Sequence, residues 1–116
     1  AADGAALDVL QLQKPTGAGR RIAILGDMLE LGDSSVEEHK AIGQYLVSSK
    51  IDVVVTIGKL AASIADGTQN HFPGKLYRFG SKAEALPHLK KELKPGDAVL
   101  LKGSRGMKLE ELISIF

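Results

Sequence analysis

The chain has 116 residues, a formal net charge of +1 and no cysteine. This length suits one domain with one core. The lack of cysteine excludes a disulfide framework, a zinc finger and a thiol nucleophile, and the near-neutral charge argues against a nucleic-acid or anionic-membrane partner. No apolar run approaches the roughly 20 residues of a membrane span.

Helices and strands are predicted to alternate along the chain. A leading helix over residues 2–13 ends in a turn rich in proline and glycine. Short apolar runs bounded by turn residues then predict four strands, over residues 21–25, 52–57, 76–79 and 97–101. A helical pattern follows each strand, over residues 34–50, 60–65, 81–93 and 108–116.

Local signals mark the ends of these helices. Ser35 and Glu38 form a capping-box pattern that begins the second helix. The apolar residues of that helix keep roughly helical spacing: Val36, Ile42, Leu46 and Val47. Gly67 is expected to end the third helix and Ser81 to cap the fourth, in which Pro87 predicts a break or a kink.

The character of the strands predicts the fold class. They are uniformly apolar rather than alternating, which is typical of strands covered on both faces. Alternation of such strands with helices predicts a mainly parallel sheet with right-handed crossovers. We therefore expect a three-layer α/β domain.

Two glycine-containing loops follow apolar strands and are the candidate binding segments. The first contains Gly26, Asp27 and Met28, and the second reads Lys102-Gly103-Ser104-Arg105-Gly106. Residues 75–108 hold nine bases and three acids, whereas residues 27–38 hold five acids and no base. Lysine, serine and arginine beside flexible glycines at a helix start suit a carboxylate or phosphate ligand.

Each acidic or histidine candidate has two interpretations. Asp27 either accepts hydrogen bonds from a ligand or holds a metal through water, or it bonds the backbone of its own turn. A metal cluster of Glu30, Asp33, Glu37 and Glu38 is less favoured, because acids in a first helical turn are stabilised by the helix dipole. His39 follows on the same helix and could face the Asp27 loop; a hydrogen-bonded supporting residue is favoured there over an acid/base group, because the sequence shows no partner for it.

Two other glycine motifs predict ordinary turns. Gly17-Ala18-Gly19 precedes its strand and lacks the third glycine of a dinucleotide fingerprint. Gly58-Lys59 follows a strand but lacks the spacing of a phosphate loop. His71 and His88 lie in polar surroundings and carry no signal of a site.

The two candidate loops resemble those of the Mur ligases. The residues that carry the resemblance are Leu-Gly-Asp-Met-Leu-Glu-Leu-Gly at 25–32, His39 with Gly43, and Leu-Leu-Lys-Gly-Ser-Arg-Gly at 100–106. The similarity is to the C-terminal, Rossmann-like domain of those members that add D-Ala-D-Ala to UDP-N-acetylmuramoyl-tripeptide in peptidoglycan synthesis. It covers nearly the whole chain in order.

The resemblance implies an ATP-dependent amide ligase with three domains. In such enzymes ATP phosphorylates the tripeptide carboxylate, the dipeptide amine attacks the acyl phosphate, and ADP and phosphate are released. The C-terminal domain closes over ATP, which implies that Gly26, Asp27 and Met28 bind the nucleotide. Lys102, Gly103, Ser104 and Arg105 would bind the dipeptide, with Arg105 paired to its free carboxylate.

Several family features have no counterpart in these residues, notably the phosphate loop and the magnesium ligands of the central domain. We therefore expect a piece of a longer cytoplasmic, monomeric enzyme, with Mg²⁺ held mainly by the central domain and no activity in this domain alone. Two alternatives remain: a stand-alone nucleotide-binding or receiver-like α/β module, and a dehydrogenase-type dinucleotide domain.

Overall fold

A computed structural model describes residues 2–28, 35–104 and 108–115. In chain order the elements are α1 (Ala2–Leu12), β1 (Arg21–Gly26), α2 (Ser35–Val47), β2 (Val53–Ile57), α3 (Ala62–Thr68), β3 (Lys75–Phe79), α4 (Lys82–Glu92), β4 (Ala98–Lys102) and a final 3₁₀ helix (Leu109–Ile115). The strands form one sheet in the order β3-β2-β1-β4, and every pair is parallel. The predicted α/β class and parallel sheet are confirmed.

Alternate residues of the two central strands enter two separate cores. Ala23, Leu25 and Val54 pack on the face covered by α1, α2 and α3. Ile22, Ile24, Val53, Val55 and Ile57 pack on the opposite face, against α4 and the 3₁₀ helix. These strands are buried on both faces, which explains their continuous apolar sequence.

The two edge strands depart from that expectation. Residues of β3 and β4 are exposed or half-buried, and Val99 keeps 44% of its surface in contact with solvent. Each strand has only one neighbour in the sheet, so its apolar residues receive less cover. The prediction of cover on both faces therefore holds for β1 and β2 only.

Three details of the predicted helices are wrong. The third helix does not end at Gly67 but continues to Thr68, and Gln69 then adopts a left-handed conformation. Helix α4 continues through Pro87, so the predicted break is wrong while a kink stays a prediction, since proline removes only one backbone donor there. The final segment is a 3₁₀ helix, whose three-residue repeat turns Leu109 and Leu112 towards the same core.

The second helix buries only part of its predicted apolar set. Val36 is 42% exposed, whereas Ile42 and Leu46 are in the core and His39 is fully buried beside them.

The prediction of Ser81 as a cap is confirmed, because its side chain accepts a hydrogen bond from the Glu84 amide. Within the described ranges, no helix combines the length and apolar character needed to cross a membrane.

Candidate functional site

The direction of chain winding places the candidate site between β1 and β4. From β1 the chain proceeds to β2 and β3 on one side, and it then crosses back to place β4 on the other side of β1. Where the winding reverses, the loops after the two neighbouring strands lead to helices on opposite faces of the sheet. Open α/β sheets bind ligands in the crevice at such a switch point.

The structure brings the two predicted loops together at this point. Leu25 of β1 lies opposite Lys102 of β4, so both strands end at the same level. Beyond them, the Ser104 amide donates a hydrogen bond of 2.9 Å to the backbone carbonyl of Asp27. The two loops therefore form one continuous surface at the carboxyl edge of the sheet.

Asp27 bonds backbone, but not that of its own turn. Its Oδ1 atom accepts a 2.6 Å hydrogen bond from the amide of Ala61, which precedes α3. The side chain is 8% exposed. A carboxylate at this position satisfies a donor at the start of a helix and is stabilised by the positive end of the helix dipole. Asp27 thus links the loop after β1 to the loop after β2.

Gly58 leaves the space that the Asp27 carboxylate occupies. A Cβ atom on Gly58 would lie 2.5 Å from Asp27 Oδ1 and 2.7 Å from Asp27 Cγ. The φ angle of Gly58 is +118°, a conformation that side chains rarely adopt. Gly58-Lys59 is therefore more than the ordinary turn that the sequence predicted, because its missing side chain admits Asp27.

His39 holds the other end of the first loop. Its Nε2 atom accepts a 3.1 Å hydrogen bond from the Met28 amide, and its Nδ1 atom bonds the carbonyl of Ser35. Because a carbonyl only accepts, the proton of the neutral ring lies on Nδ1. The predicted orientation of His39 towards the Asp27 loop is confirmed, and the ring connects α2 to that loop.

The charged groups at this edge are mainly cationic in the described part of the chain. Lys102 ends β4 and is half-buried, and Lys59 is exposed after β2. The one carboxylate at these strand ends, Asp27, is bonded to the Ala61 amide. This balance suits an anionic ligand.

The other described residues of the two loops, Gly103, Ser104 and Met28, are closely packed or buried. Gly103 packs closely, since a Cβ there would lie 2.8 Å from a methyl group of Leu109 and 3.4 Å from the Gly26 Cα. Ser104 is only 6% exposed, and Met28 of the first loop is buried. Arg105 lies outside the described residues, as do Glu30 and Asp33 of the acidic segment.

Sequence reasoning did not identify Ala61 as a partner of Asp27. The two residues are 34 positions apart, and an alanine amide gives no sequence signal. The one available hint was the glycine directly after β2. By contrast, Gly17-Ala18-Gly19 lies at the opposite edge of the sheet, where it forms a turn beside Gly96, as predicted.

The fold and this edge define a Rossmann-like α/β domain in which two strand-end loops meet at the switch point of the sheet. The sequence profile of the family described as "Mur ligase, glutamate ligase domain" matches residues 2–105. The chain therefore belongs to the Mur ligase family, and the predicted resemblance is confirmed.

Relatives with the same name occur in several bacteria. The UDP-N-acetylmuramoyl-tripeptide–D-alanyl-D-alanine ligase of Bacillus subtilis is 44% identical over 98 residues, which are 84% of this chain and 21% of that protein. The ligase of the same name from Buchnera aphidicola subsp. Baizongia pistaciae is 36% identical over 98 residues, covering 83% of this chain and 20% of its own length. The chain spans about a fifth of the length of these relatives.

Solved structures show the same fold. MurF from Acinetobacter baumannii superimposes with a TM-score of 0.80 at 32% identity, over 98% of this chain and 24% of that one. MurF ligase from Thermotoga maritima, solved in complex with ADP, gives a TM-score of 0.73 at 27% identity over 99% of this chain and 25% of that one. The α/β architecture is thus shared with MurF proteins.

Proposed function

We propose that residues 1–116 are the C-terminal domain of a three-domain, ATP-dependent ligase that joins D-Ala-D-Ala to UDP-N-acetylmuramoyl-tripeptide in peptidoglycan precursor synthesis. The observation that carries the proposal is the union of two strand-end loops at the switch point, through the Ser104 amide and the Asp27 carbonyl. Family membership and the names of the relatives support it. The domain would close over ATP and position the dipeptide.

The second loop would bind the dipeptide. Its free carboxylate needs a cation, and its amine must be held where it can attack an acyl phosphate. Lys102 supplies a charge at the end of β4, and Arg105 would add a planar guanidinium that binds a carboxylate through two hydrogen bonds. Gly103 and Ser104 would shape the surface between them. Such positioning lowers the entropic cost of the reaction.

The first loop would face the nucleotide. Gly26 and Met28 are buried, so their contribution to ATP binding would be made through the backbone at the edge of the sheet. Oδ1 of Asp27 is already bonded to Ala61, which leaves Oδ2 for a ribose hydroxyl or a hydrated cation. Direct contact between Asp27 and ATP remains a prediction.

The described residues do not fit a Mg²⁺ site. Within the described ranges, no three histidine, cysteine or acidic side chains converge as metal ligands, and Mg²⁺ prefers oxygen ligands in an octahedral arrangement. The family resemblance supports the proposal that the central domain holds most of the Mg²⁺ that accompanies ATP. The same proposal implies a cytoplasmic, monomeric enzyme and an isolated domain without activity.

A domain exchange tests this function. This chain would replace the corresponding segment of the Bacillus subtilis ligase, to which it is 44% identical over 98 residues. We expect phosphate release that depends on both the tripeptide nucleotide and D-Ala-D-Ala. The matched variants are Lys102→Ala, which should raise KM for the dipeptide, and Lys90→Ala, an exposed lysine on α4 that should leave it unchanged. A folded exchange protein that binds ATP but releases no phosphate would contradict the proposal.

Calorimetric titration of the chain by itself tests the alternatives. We expect no binding, or only weak binding, of ATP and D-Ala-D-Ala at millimolar concentration, because partner domains supply most of the contacts. Tight binding of NAD would favour a dehydrogenase-type domain. A receiver-like module is already disfavoured, because β1 lies between β2 and β4, whereas receiver domains place β1 between β2 and β3.

A further inference from the structure

We propose that Asp27 is a positioning residue that ties three strand-end loops into one rigid edge, and that this role needs its hydrogen-bond acceptors rather than its charge. The inference rests on the proposed function, which it deepens by assigning how the ligand-facing edge is held. It differs from the expectation that the Asp27 carboxylate acts through direct contact with the nucleotide.

Asp27 joins three loops at the carboxyl edge of the sheet. Its carbonyl accepts from the Ser104 amide at 2.9 Å, in the loop after β4. Its Oδ1 accepts from the Ala61 amide at 2.6 Å, in the loop after β2. Asp27 itself follows β1. One residue therefore connects the ends of three adjacent strands by its side chain and its backbone.

Neighbouring residues hold the backbone and the carboxylate of Asp27 in place. The Met28 amide, next in the chain, is bonded to the buried His39 of α2. Gly58 contributes no side chain where the Asp27 carboxylate lies. Asp27 is 8% exposed, so its backbone and carboxylate have little freedom to rearrange around a ligand. A group fixed on both sides transmits position better than a mobile one.

The bonds of Asp27 would position the cationic side chains at this edge of the sheet. The loop after β2 carries Lys59, exposed between Gly58 and the Ala61 amide that Asp27 holds. The loop after β4 carries Lys102 and Ser104. Loss of the Asp27 side-chain acceptor would release the loop that carries Lys59 directly. The Asp27 carbonyl would remain, but without the anchored side chain it would hold the Ser104 amide less firmly. The cations at the edge would then no longer be held in a single arrangement.

Two substitutions separate acceptor from charge. Asp27→Ala removes the side-chain acceptor, whereas Asp27→Asn keeps one carbonyl oxygen that accepts from the Ala61 amide, while it removes the charge and replaces the second oxygen with an NH2 donor. Amide hydrogen exchange in the 116-residue chain would measure the Ala61 and Ser104 amides. We expect Asp27→Ala to speed exchange of the Ala61 amide at least tenfold and that of Ser104 severalfold, and Asp27→Asn to keep both within about threefold of the original chain.

The control is a carboxylate with the same kind of bond elsewhere. Asp52 accepts a hydrogen bond of 2.9 Å from the Arg21 amide at the opposite edge of the sheet. Asp52→Ala should leave the Ala61 and Ser104 amides unchanged. If Asp27→Ala does not fold, Asp27→Ser is measured in its place, since its hydroxyl is one bond closer to the backbone and withdraws the acceptor from the Ala61 amide.

Kinetics of the exchanged ligase give the second measurement. If Asp27 is a positioning residue, Asp27→Ala should raise the KM for ATP and for D-Ala-D-Ala. Asp27→Asn should keep both KM values close to those of the original protein. The proposal is overturned if Asp27→Asn is as impaired as Asp27→Ala while its Ala61 amide stays protected, since Asp27 would then act on the ligand directly, through its charge or its second oxygen. Unchanged Ala61 exchange in Asp27→Ala would also overturn it. If the Bacillus subtilis ligase that carries this chain is inactive without any substitution at Asp27, that result counts against the proposed function alone. The amide measurement uses the 116-residue chain and does not depend on ligase activity.

Discussion

Gly43 of α2 and Gly67 of α3 lie in direct contact where the two helices pack together. A Cβ atom on Gly43 would lie 2.9 Å from the Cα of Gly67 and 2.0 Å from the carbonyl oxygen of Ile64. A Cβ on Gly67 would meet the Lys40 carbonyl at 2.1 Å. This close approach sets the position of α2, and with it the position of His39 beneath the loop after β1.

Gly43→Ala is expected to force the two helices apart. Alanine favours a helix over glycine by about 1 kcal/mol, but a contact with backbone at this distance cannot relax without moving α3. We expect a net loss of at least about 2 kcal/mol in the free energy of unfolding, measured by urea denaturation. Gly80→Ala is the control, because the nearest atom to its Cβ would be a flexible Glu84 oxygen at 3.6 Å. Equal stability of the two variants would contradict the close contact.

His39→Ala is expected to destabilise the domain through its effect on the Met28 amide. The fully buried imidazole bonds both Met28 and Ser35, so its removal leaves a cavity and an unpaired buried donor. The expected cost is about 3 kcal/mol. His39→Gln should recover part of it, because an amide also offers one acceptor and donors.

Thermal and urea unfolding would measure both His39 variants beside His71→Ala. His71 is exposed, so its removal should change stability by less than about 0.5 kcal/mol. If His39→Ala were as stable as His71→Ala, the two hydrogen bonds of His39 would contribute nothing to the fold.

The Tyr45 phenol is expected to make the free energy of unfolding fall in alkaline solution. Burial, followed by the hydrogen bond that its hydroxyl donates to Asp8, raises the pKa of the Tyr45 phenol above its ordinary value. The folded state thus keeps this proton at a pH where the unfolded chain has lost it. The contribution is complete below the unfolded pKa of about 10 and disappears as the pH rises through the folded pKa.

Urea denaturation between pH 8 and pH 11 would measure this dependence. The difference in stability between the original chain and Tyr45→Phe should be constant up to about pH 10 and should shrink above it. A difference that stays constant across the range would show that Tyr45 titrates alike in the folded and unfolded chains. Gln11, which donates a 2.6 Å hydrogen bond to the same hydroxyl, is present in both proteins.

Arg105→Ala tests the carboxylate-binding role that the resemblance implies. In the exchanged ligase we expect KM for D-Ala-D-Ala to rise far more than KM for ATP, because a bidentate ion pair with the dipeptide is lost. Arg105→Lys should recover only part of the loss, since lysine cannot form the paired hydrogen bonds. The opposite pattern, with ATP affected more, would assign Arg105 to the nucleotide.

Sequence patterns were sufficient for the elements and for the location of the candidate site. The continuous apolar runs of β1 and β2 predicted strands covered on both faces, because only such strands need apolar residues at every position. The loops that contain Asp27 and Lys102 were identified because each follows such a strand, and parallel strands end at one edge. These signals are local, so the sequence contains them in full.

The tertiary structure alone decided the order of the strands and the partners of the polar groups. The order β3-β2-β1-β4 depends on which side of β1 each crossover returns to, and no local pattern states that side. The same holds for Asp27, whose bond to Ala61 spans 34 residues, and for Gly43, whose missing side chain matters only where α3 packs. Periodicity and turn chemistry act between near neighbours in the chain, whereas these contacts exist only after the sheet has brought distant segments together.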